Sequence, residues 1–304
     1  MAGPWQPRLL ALLGDPVAHS LSPVMQNAAF QATGLPYVYI AARVEASRFP
    51  EAVEALRLLG ARGANVTAPH KEQAARTAHW LAPEAARAGT VNTLVFEGDR
   101  ILGYNTDGPA FCRAVAEGAH TELAGRRVLL LGAGGAARAV AMAVAERGVA
   151  AMTVANRTLP RGQELARHVA MAAGVPVRAH AWPEDRSQWA DLLAGHDLVV
   201  QATSAGAAGP WERLPYQVLP PEALVADLAY APGGTPFLRA AARAGYRVLP
   251  GEWMLLYQGA EAFRLWTGVE APLETMKAAL AGAGLFLGNG DGRSPGGGGP
   301  AGSR

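Results

Sequence analysis

The run Val128-Leu129-Leu130-Leu131-Gly132-Ala133-Gly134-Gly135-Ala136-Ala137 decides the fold. Its four apolar residues read as a strand buried on both faces, and the six that follow fit G-x-G-x-x-G/A. Gly132 permits the turn, Gly134 lets backbone approach a pyrophosphate, and Ala137 keeps the next helix close to the strand. The helix start, lined by Gly135 and Ala136 beside Ala133, offers N–H groups to an anion. A glycine turn alone says little. Between a clean strand and the Ala-rich helix over 136–147 it becomes a dinucleotide fingerprint.

The next strand, 152–155, decides the coenzyme. It ends where an NAD enzyme places Asp or Glu on the ribose hydroxyls, and this chain has Asn156 there. Arg157, Thr158 and Arg161 follow, so nothing repels a 2′-phosphate and two guanidiniums and a hydroxyl can bind one. The same residues also read as a helix start, with Thr158 as N-cap and Pro160 in the first turn. Both readings can hold together, and they predict NADP.

Outward from this unit, strand-like and helix-like segments alternate. Strands are expected at 8–13, 37–42, 64–66, 91–96 and 100–103, the last two joined by a hairpin through Gly98-Asp99, and again at 198–201 and 225–228. Helices are expected at 23–32, 46–59, 110–117, 252–267 and 274–285. The pattern predicts a two-domain α/β protein with parallel sheets: an N-terminal α/β substrate domain and a Rossmann-type doubly wound NADP domain. The tail 288–304 is mostly Gly, Pro, Ser and charged residues and is expected to be disordered.

Composition narrows the partners. The formal charge of the 304 residues is +2, and no basic cluster accompanies the sequence pI of 8.8, so neither nucleic acid nor a membrane surface is expected. The apolar run 9–13 is too short for a signal core, and nothing approaches the roughly 20 apolar residues of a span. A single cysteine, Cys112, excludes an internal disulfide, and the seven histidines show no paired ligand spacing. No metal and a cytoplasmic location are the expectations.

Of 27 basic residues only Lys71 and Lys277 are lysine, and asparagine occurs six times. A chain that fills indifferent cationic positions with Arg spends Lys where chemistry asks for it. Four polar clusters end strands or begin loops: His19-Ser20-Leu21-Ser22-Pro23, Asn65-Val66-Thr67-Ala68-Pro69-His70-Lys71, Val91-Asn92-Thr93 and Asn105-Thr106-Asp107. Strand C-termini of an α/β sheet line one crevice, so these clusters can meet. Ser20, Ser22, Asn65, Thr67 and Asn92 suit a polyhydroxylated small molecule. Turn and cap duties would explain any one of them alone. Lys71 and Asp107 form the charged pair of the set, and Lys can give and take the proton of a carbonyl/alcohol interconversion, whereas Arg cannot.

The ordered motifs G-x-P-x-x-H-S-x-S-P, N-V-T-x-P-x-K, G-x-V-N-T, N-T-D-G, G-A-G-G-A-x-R, N-R-T and M-L-x-x-Q-G-A resemble shikimate dehydrogenase from about Arg8 to Leu285. The resemblance implies NADPH-linked reduction of 3-dehydroshikimate to shikimate, in aromatic amino-acid biosynthesis, by a monomer or homodimer. It implies that Ser20 and Ser22 bind the substrate carboxylate, that Asn65, Thr67, Asn92 and Asp107 hold ring hydroxyls or the reacting oxygen, and that Lys71 is the acid/base. Tyr230 and Gln258 would close over the substrate. Gly132–Ala136, Asn156–Arg161, Thr203, Leu228, Gly251 and Met254 would line the coenzyme. The final helices would return to the first unit, giving a substrate domain of 1–107 plus 252–287 around an NADP domain of 108–251. Gln26, His70 and Gln201 depart from the family's usual residues. A quinate/shikimate dehydrogenase with broader choice and a non-catalytic shikimate or quinate sensor are the alternatives. A sensor is expected to lose Lys71, Asp107 or the glycine turn, and this chain keeps all three. A folate-type dehydrogenase has no use for Ser-x-Ser.

Overall fold

The structure, a computed structural model, describes residues 7–203 and 209–286; the expectation for the tail 288–304 lies outside the described residues. Two six-stranded sheets organise the chain. The first contains β1 (Arg8–Gly14), β2 (Tyr37–Arg43), β3 (Gly63–Val66), β4 (Trp80–Leu81), β5 (Thr93–Glu97) and β6 (Arg100–Tyr104) in the order β2-β1-β3-β5-β6-β4. It is mixed rather than parallel, with the hairpin expected through Gly98-Asp99 inside it: β5 runs antiparallel to both β3 and β6. The cause is the hairpin itself. A two-residue turn at Gly98-Asp99, with Gly98 at φ 58, can join only antiparallel strands.

The second sheet contains β7 (Arg127–Leu131), β8 (Ala151–Asn156), β9 (Val177–Ala181), β10 (Leu198–Gln201), β11 (Leu224–Asp227) and β12 (Arg247–Leu249). Its order is β12-β11-β10-β7-β8-β9 and every pairing is parallel. The order reverses between β7 and β10, so a crevice opens beyond their carboxyl ends. Val128 to Leu131 are 1% exposed or less, as an apolar run in a sheet covered on both faces must be.

Helices complete the layers. α1 (Ser22–Thr33), α2 (Phe49–Leu58), α3 (Lys71–Thr77) and α4 (Pro83–Ala88) accompany the first sheet. α5 (Asp107–Arg113) runs through a π turn at Ala114–Gly118 toward the second. α6 (Gly135–Ala145), α7 (Leu159–Ala173), α8 (Arg186–Leu193) and α9 (Pro236–Arg243) surround that sheet. α10 (Glu252–Thr267) and α11 (Leu273–Gly282) then return to the first: Phe263 stacks on Phe30 of α1 at 5.1 Å, and Trp266 Nε1 donates to Leu94 O at 2.9 Å. α5 lies so close to α6 that a Cβ on Gly108 would fall 2.6 Å from Ala139 O. One buried apolar cluster therefore runs from Leu10 through Phe111 and Val140 to Leu130, and joins the two sheets on this side.

Candidate active site

Lys71 opens α3 just beyond the carboxyl end of β3, and Asp107 opens α5 just beyond β6. Lys71 Nζ donates to Asp107 Oδ2 at 2.5 Å, and the two side chains are only 12% and 5% exposed. The N-terminal turn of α5 suits a carboxylate, and Asp107 N is held by Asn105 Oδ1 at 3.1 Å. Opposite this pair stands the glycine turn of the second sheet. A Cβ on Gly135 would lie 2.9 Å from Lys71 Cβ, so the absence of a side chain there is what lets the fingerprint reach the lysine. The sequence's two strongest signals thus meet at one point.

Beneath the pair lies a buried polar chain whose directions are fixed by backbone groups. Asn65 Nδ2 donates to Asn92 O at 3.1 Å, and a carbonyl can only accept, so the amide orientation is set. Asn65 Oδ1 then accepts from Tyr39 Oη (2.7 Å), and Asn65 Nδ2 also donates to Thr93 Oγ1 (3.0 Å). Thr106 N donates to Asn92 Oδ1 at 2.9 Å, which fixes the second amide likewise. Thr93 Oγ1 donates to Asn92 Oδ1 (3.0 Å), and Asn92 Nδ2 donates to Asp107 Oδ1 (2.8 Å). Every link points its proton toward Asp107, and aligned bonds of this kind strengthen one another in a low dielectric. With Lys71 on one oxygen and Asn92 on the other, the Asp107 carboxylate is locked in place. Asn65 and Asn92 are 4% and 2% exposed, and most of their hydrogen-bonding capacity is used internally. They brace the site more than they reach into it.

A second cluster forms where α1 begins. Ser20 Oγ donates to Ser22 Oγ at 3.2 Å, and Ser22 N donates to Ser20 Oγ at 3.3 Å, so the paired hydroxyls share one corner. Leu21 N donates to Tyr230 Oη at 3.3 Å, which carries the loop after β11 across to the first sheet. Gln258, on α10, is tied in by its carbonyl oxygen, which accepts from Thr106 Oγ1 at 3.1 Å, while its Nε2 donates to Leu255 O. Thr67 is half-buried in the turn between β3 and α3.

The second sheet presents a surface that fits NADP. Gly132 sits at φ 116, and a Cβ there would meet Ala202 O at 2.9 Å, so only glycine makes this turn. Around Gly134 a Cβ would meet nothing within 4 Å, and no side chain caps α6. Both leave room and N–H donors for a pyrophosphate. At the end of β8, Arg157 and Thr158 are exposed, Thr158 holds the N-cap position of α7 without a side-chain cap bond, and Asn156 Nδ2 donates to Thr158 O at 2.8 Å. Arg161 pairs across the cleft with Glu72 at 3.3 Å. Leu228 and Gly251 lie together: a Cβ on Gly251 would lie 2.7 Å from Leu228 O. Met254 follows one turn on in α10, and Thr203 ends the β10 side of the crevice.

Tyr39 and Asp227 also stand around the site and the sequence does not mark them, while Thr93 and Thr106 appear in its polar clusters without a role of their own. Tyr39 reads there as one strand residue among several aromatic and β-branched ones; only its 2% exposure and its bond to Asn65 reveal its place. Burial pushes its phenol well above the ordinary range, so it remains a donor. The three departures from the family's usual residues have structural partners. Gln26 Nε2 donates to Gly259 O at 2.8 Å, His70 lies stacked on Phe49 with Nε2 2.7 Å from Val44 O, and the Gln201 amide is bonded to the backbone of Thr203. Among the described residues, no group of three or more His, Cys, Asp and Glu could hold a metal ion.

Three family models match the chain: the shikimate dehydrogenase substrate binding domain over residues 12–94, shikimate/quinate 5-dehydrogenase over 114–208, and the shikimate 5′-dehydrogenase C-terminal domain over 251–281. The chain is 47% identical over 277 residues to the shikimate dehydrogenase (NADP(+)) of Moorella thermoacetica, covering 90% of this chain and 92% of that one. Among solved structures it resembles the Thermus thermophilus shikimate 5-dehydrogenase in complex with NADP(H) and shikimate, at 38% identity and a TM-score of 0.77, over 91% and 99% of the two chains. A 5-ketofructose reductase of Gluconobacter is similar at 29% identity and a TM-score of 0.78, over 92% and 99%.

Proposed function

The chain belongs to the shikimate dehydrogenase family, and from that premise we propose that it interconverts 3-dehydroshikimate and shikimate with NADP(H). The observation that carries this reading is the Lys71–Asp107 pair, 2.5 Å apart and pressed against Gly135 of the nucleotide turn. A ketone becomes an alcohol by gaining a hydride at carbon and a proton at oxygen. The bound coenzyme supplies the hydride to the carbonyl carbon. Lys71 Nζ gives its proton to the carbonyl oxygen as the C=O π bond breaks, and Asp107 Oδ2 accepts a hydrogen bond from a substrate hydroxyl. In the oxidative direction Lys71 Nζ takes that proton back.

Ser20 and Ser22 bind the substrate carboxylate, with Tyr230 and Gln258 closing over the ring. Thr67 and the remaining acceptor capacity of Asn65 meet ring hydroxyls, and Asn92 acts chiefly by holding Asp107. Gly132, Ala133, Gly134, Gly135 and Ala136 cradle the pyrophosphate; Asn156, Arg157, Thr158 and Arg161 read the adenosine ribose and its 2′-phosphate; Thr203, Leu228, Gly251 and Met254 line the nicotinamide side. In this reading 1–107 with 252–287 is the substrate unit and 108–251 the NADP unit, in a monomer or homodimer. We place the protein in the cytoplasm, a reading supported by its single, buried, unpaired cysteine; no helix among the described residues is long and apolar enough to cross a membrane.

The test is purified protein with shikimate and NADP, followed by nicotinamide absorbance. Turnover with shikimate and NADP well above that with quinate or NAD is expected. Silence with shikimate alongside turnover of quinate with NAD would sink the proposal.

A further inference from the structure

We infer that Asp227 is a positioning residue for substrate binding: its carboxylate clasps both ends of the loop that carries Tyr230. This rests on the reading of Tyr230 as a substrate-closing residue. Asp227 is the last residue of β11 and 3% exposed. Its Oδ1 accepts from Ala229 N at 3.0 Å, one residue before Tyr230. Its Oδ2 accepts from Thr235 Oγ1 at 2.6 Å, just where the loop ends and α9 begins. Thr235 Oγ1 in turn accepts from Leu238 N at 3.3 Å, so the far end of the clasp is anchored on the first turn of a helix.

Between these two points the chain reverses through Gly233 and Gly234, at φ 71 and 81, and Gly234 N bonds to Ala231 O at 2.9 Å. The reversal sets where Tyr230 points, and its hydroxyl reaches Leu21 N between Ser20 and Ser22. Leu228 is held separately, because its N–H continues the sheet ladder to Gln201 O at 2.9 Å. Loss of the clasp therefore frees Tyr230 and leaves the coenzyme-lining strand end in place.

A charged carboxylate buried this deeply is costly, and burial pushes Asp227 up to about 6. Among the described residues, the groups around it are few. Tyr216, in the segment before β11, feels the Asp227 charge and is itself raised by burial, so it stays neutral; Arg243 of α9 acts on Tyr216 from beyond. β10 contributes the uncharged Gln201 beside it in register. Above pH 6 both Asp227 oxygens accept. Below it, one carries a proton, and the clasp loses the charge that strengthens both of its bonds.

The test is steady-state kinetics of the full chain with shikimate and NADP. Asp227→Asn is expected to raise the KM for shikimate about five- to tenfold, the effect of one hydrogen bond, with kcat and the KM for NADP within about twofold of the parent by the same reasoning. In the parent the shikimate KM is expected to climb as pH falls through about 6, and that limb should vanish in the variant. Tyr230→Phe should raise the same KM, and in the double variant the two effects should overlap rather than multiply. Multiplicative effects, or an equal change in both KM values, would overturn the clasp. If Asp227→Asn does not fold, Thr235→Val removes one arm and Thr235→Ser restores it; equal KM values for those two would also overturn it. A Tyr230→Phe variant with an unchanged shikimate KM would instead remove the reading of Tyr230 on which this inference stands.

Discussion

Replacing Lys71 by alanine removes the proposed proton donor and leaves the Asp107 carboxylate, 5% exposed, without its cationic partner. Turnover is expected to fall by about 10²-fold or more with the shikimate KM little changed, since the proton moves only in the transition state. Lys71→Arg should not rescue it: the guanidinium keeps the charge but does not release a proton. Parent-like turnover in either variant would take Lys71 out of the mechanism. The other lysine also has a specific setting, 4.8 Å over the Trp253 ring and 5.5 Å from that of Phe286, where it ties α11 to the start of α10. Arg157 can be tested by comparing coenzymes. It is exposed at the end of β8, so Arg157→Ala should raise the KM for NADP by about tenfold, the loss of one charge-assisted bond, and leave that for NAD nearly unchanged. Equal changes would mean that Arg157 does not read the phosphate.

At the scale of elements, the turn from β7 into α6 leaves no alternative to glycine at position 132. Gly132→Ala places a methyl at φ 116 and 2.9 Å from Ala202 O. The expected results are a loss of about 1–3 kcal/mol in stability, read by thermal or chemical unfolding, and a weakened NADP titration. Unchanged unfolding would contradict the strain. This turn was legible because strand, glycines and helix are contiguous in the sequence. Helix α10 was equally legible, its sixteen residues matching the expected 252–267 because the whole segment carries the apolar spacing. By contrast the sequence does not mark α3, β4 and α4 as elements. They hold seven, two and six residues, too few to show a period. The polar braces were half legible for a related reason. Asn65 and Asn92 stood out by their rarity, but Tyr39 lies 26 residues from the amide it serves, and no local pattern marks such a partner.

The whole molecule joins two sheets by unlike seams. Helices α5, α6 and α10 share an apolar core. Polar contacts also bridge the two sheets' units: Arg161 to Glu72 at 3.3 Å across the cleft and, beside the α5–α6 packing, Arg87 to Glu146 at 2.6 Å and Arg138 Nε to Ala88 O at 3.4 Å. Exposed ion pairs contribute at most about 1 kcal/mol each, whereas a packed seam resists sliding. The packed seam is therefore expected to act as the hinge, and the exposed ion pairs as weak ties that bound ligands can replace. Glu72→Gln combined with Arg87→Gln leaves every residue assigned to substrate or coenzyme intact and removes two of the bridges. A compact chain of 304 residues has a radius of gyration of about 19 Å. The ligand-free double variant should scatter X-rays with a radius measurably above that of the ligand-free parent. Saturating shikimate and NADP should bring both to the same smaller value, because bound ligands supply the contacts that the bridges lost. Identical radii for parent and variant without ligand would show that these bridges do not hold the cleft.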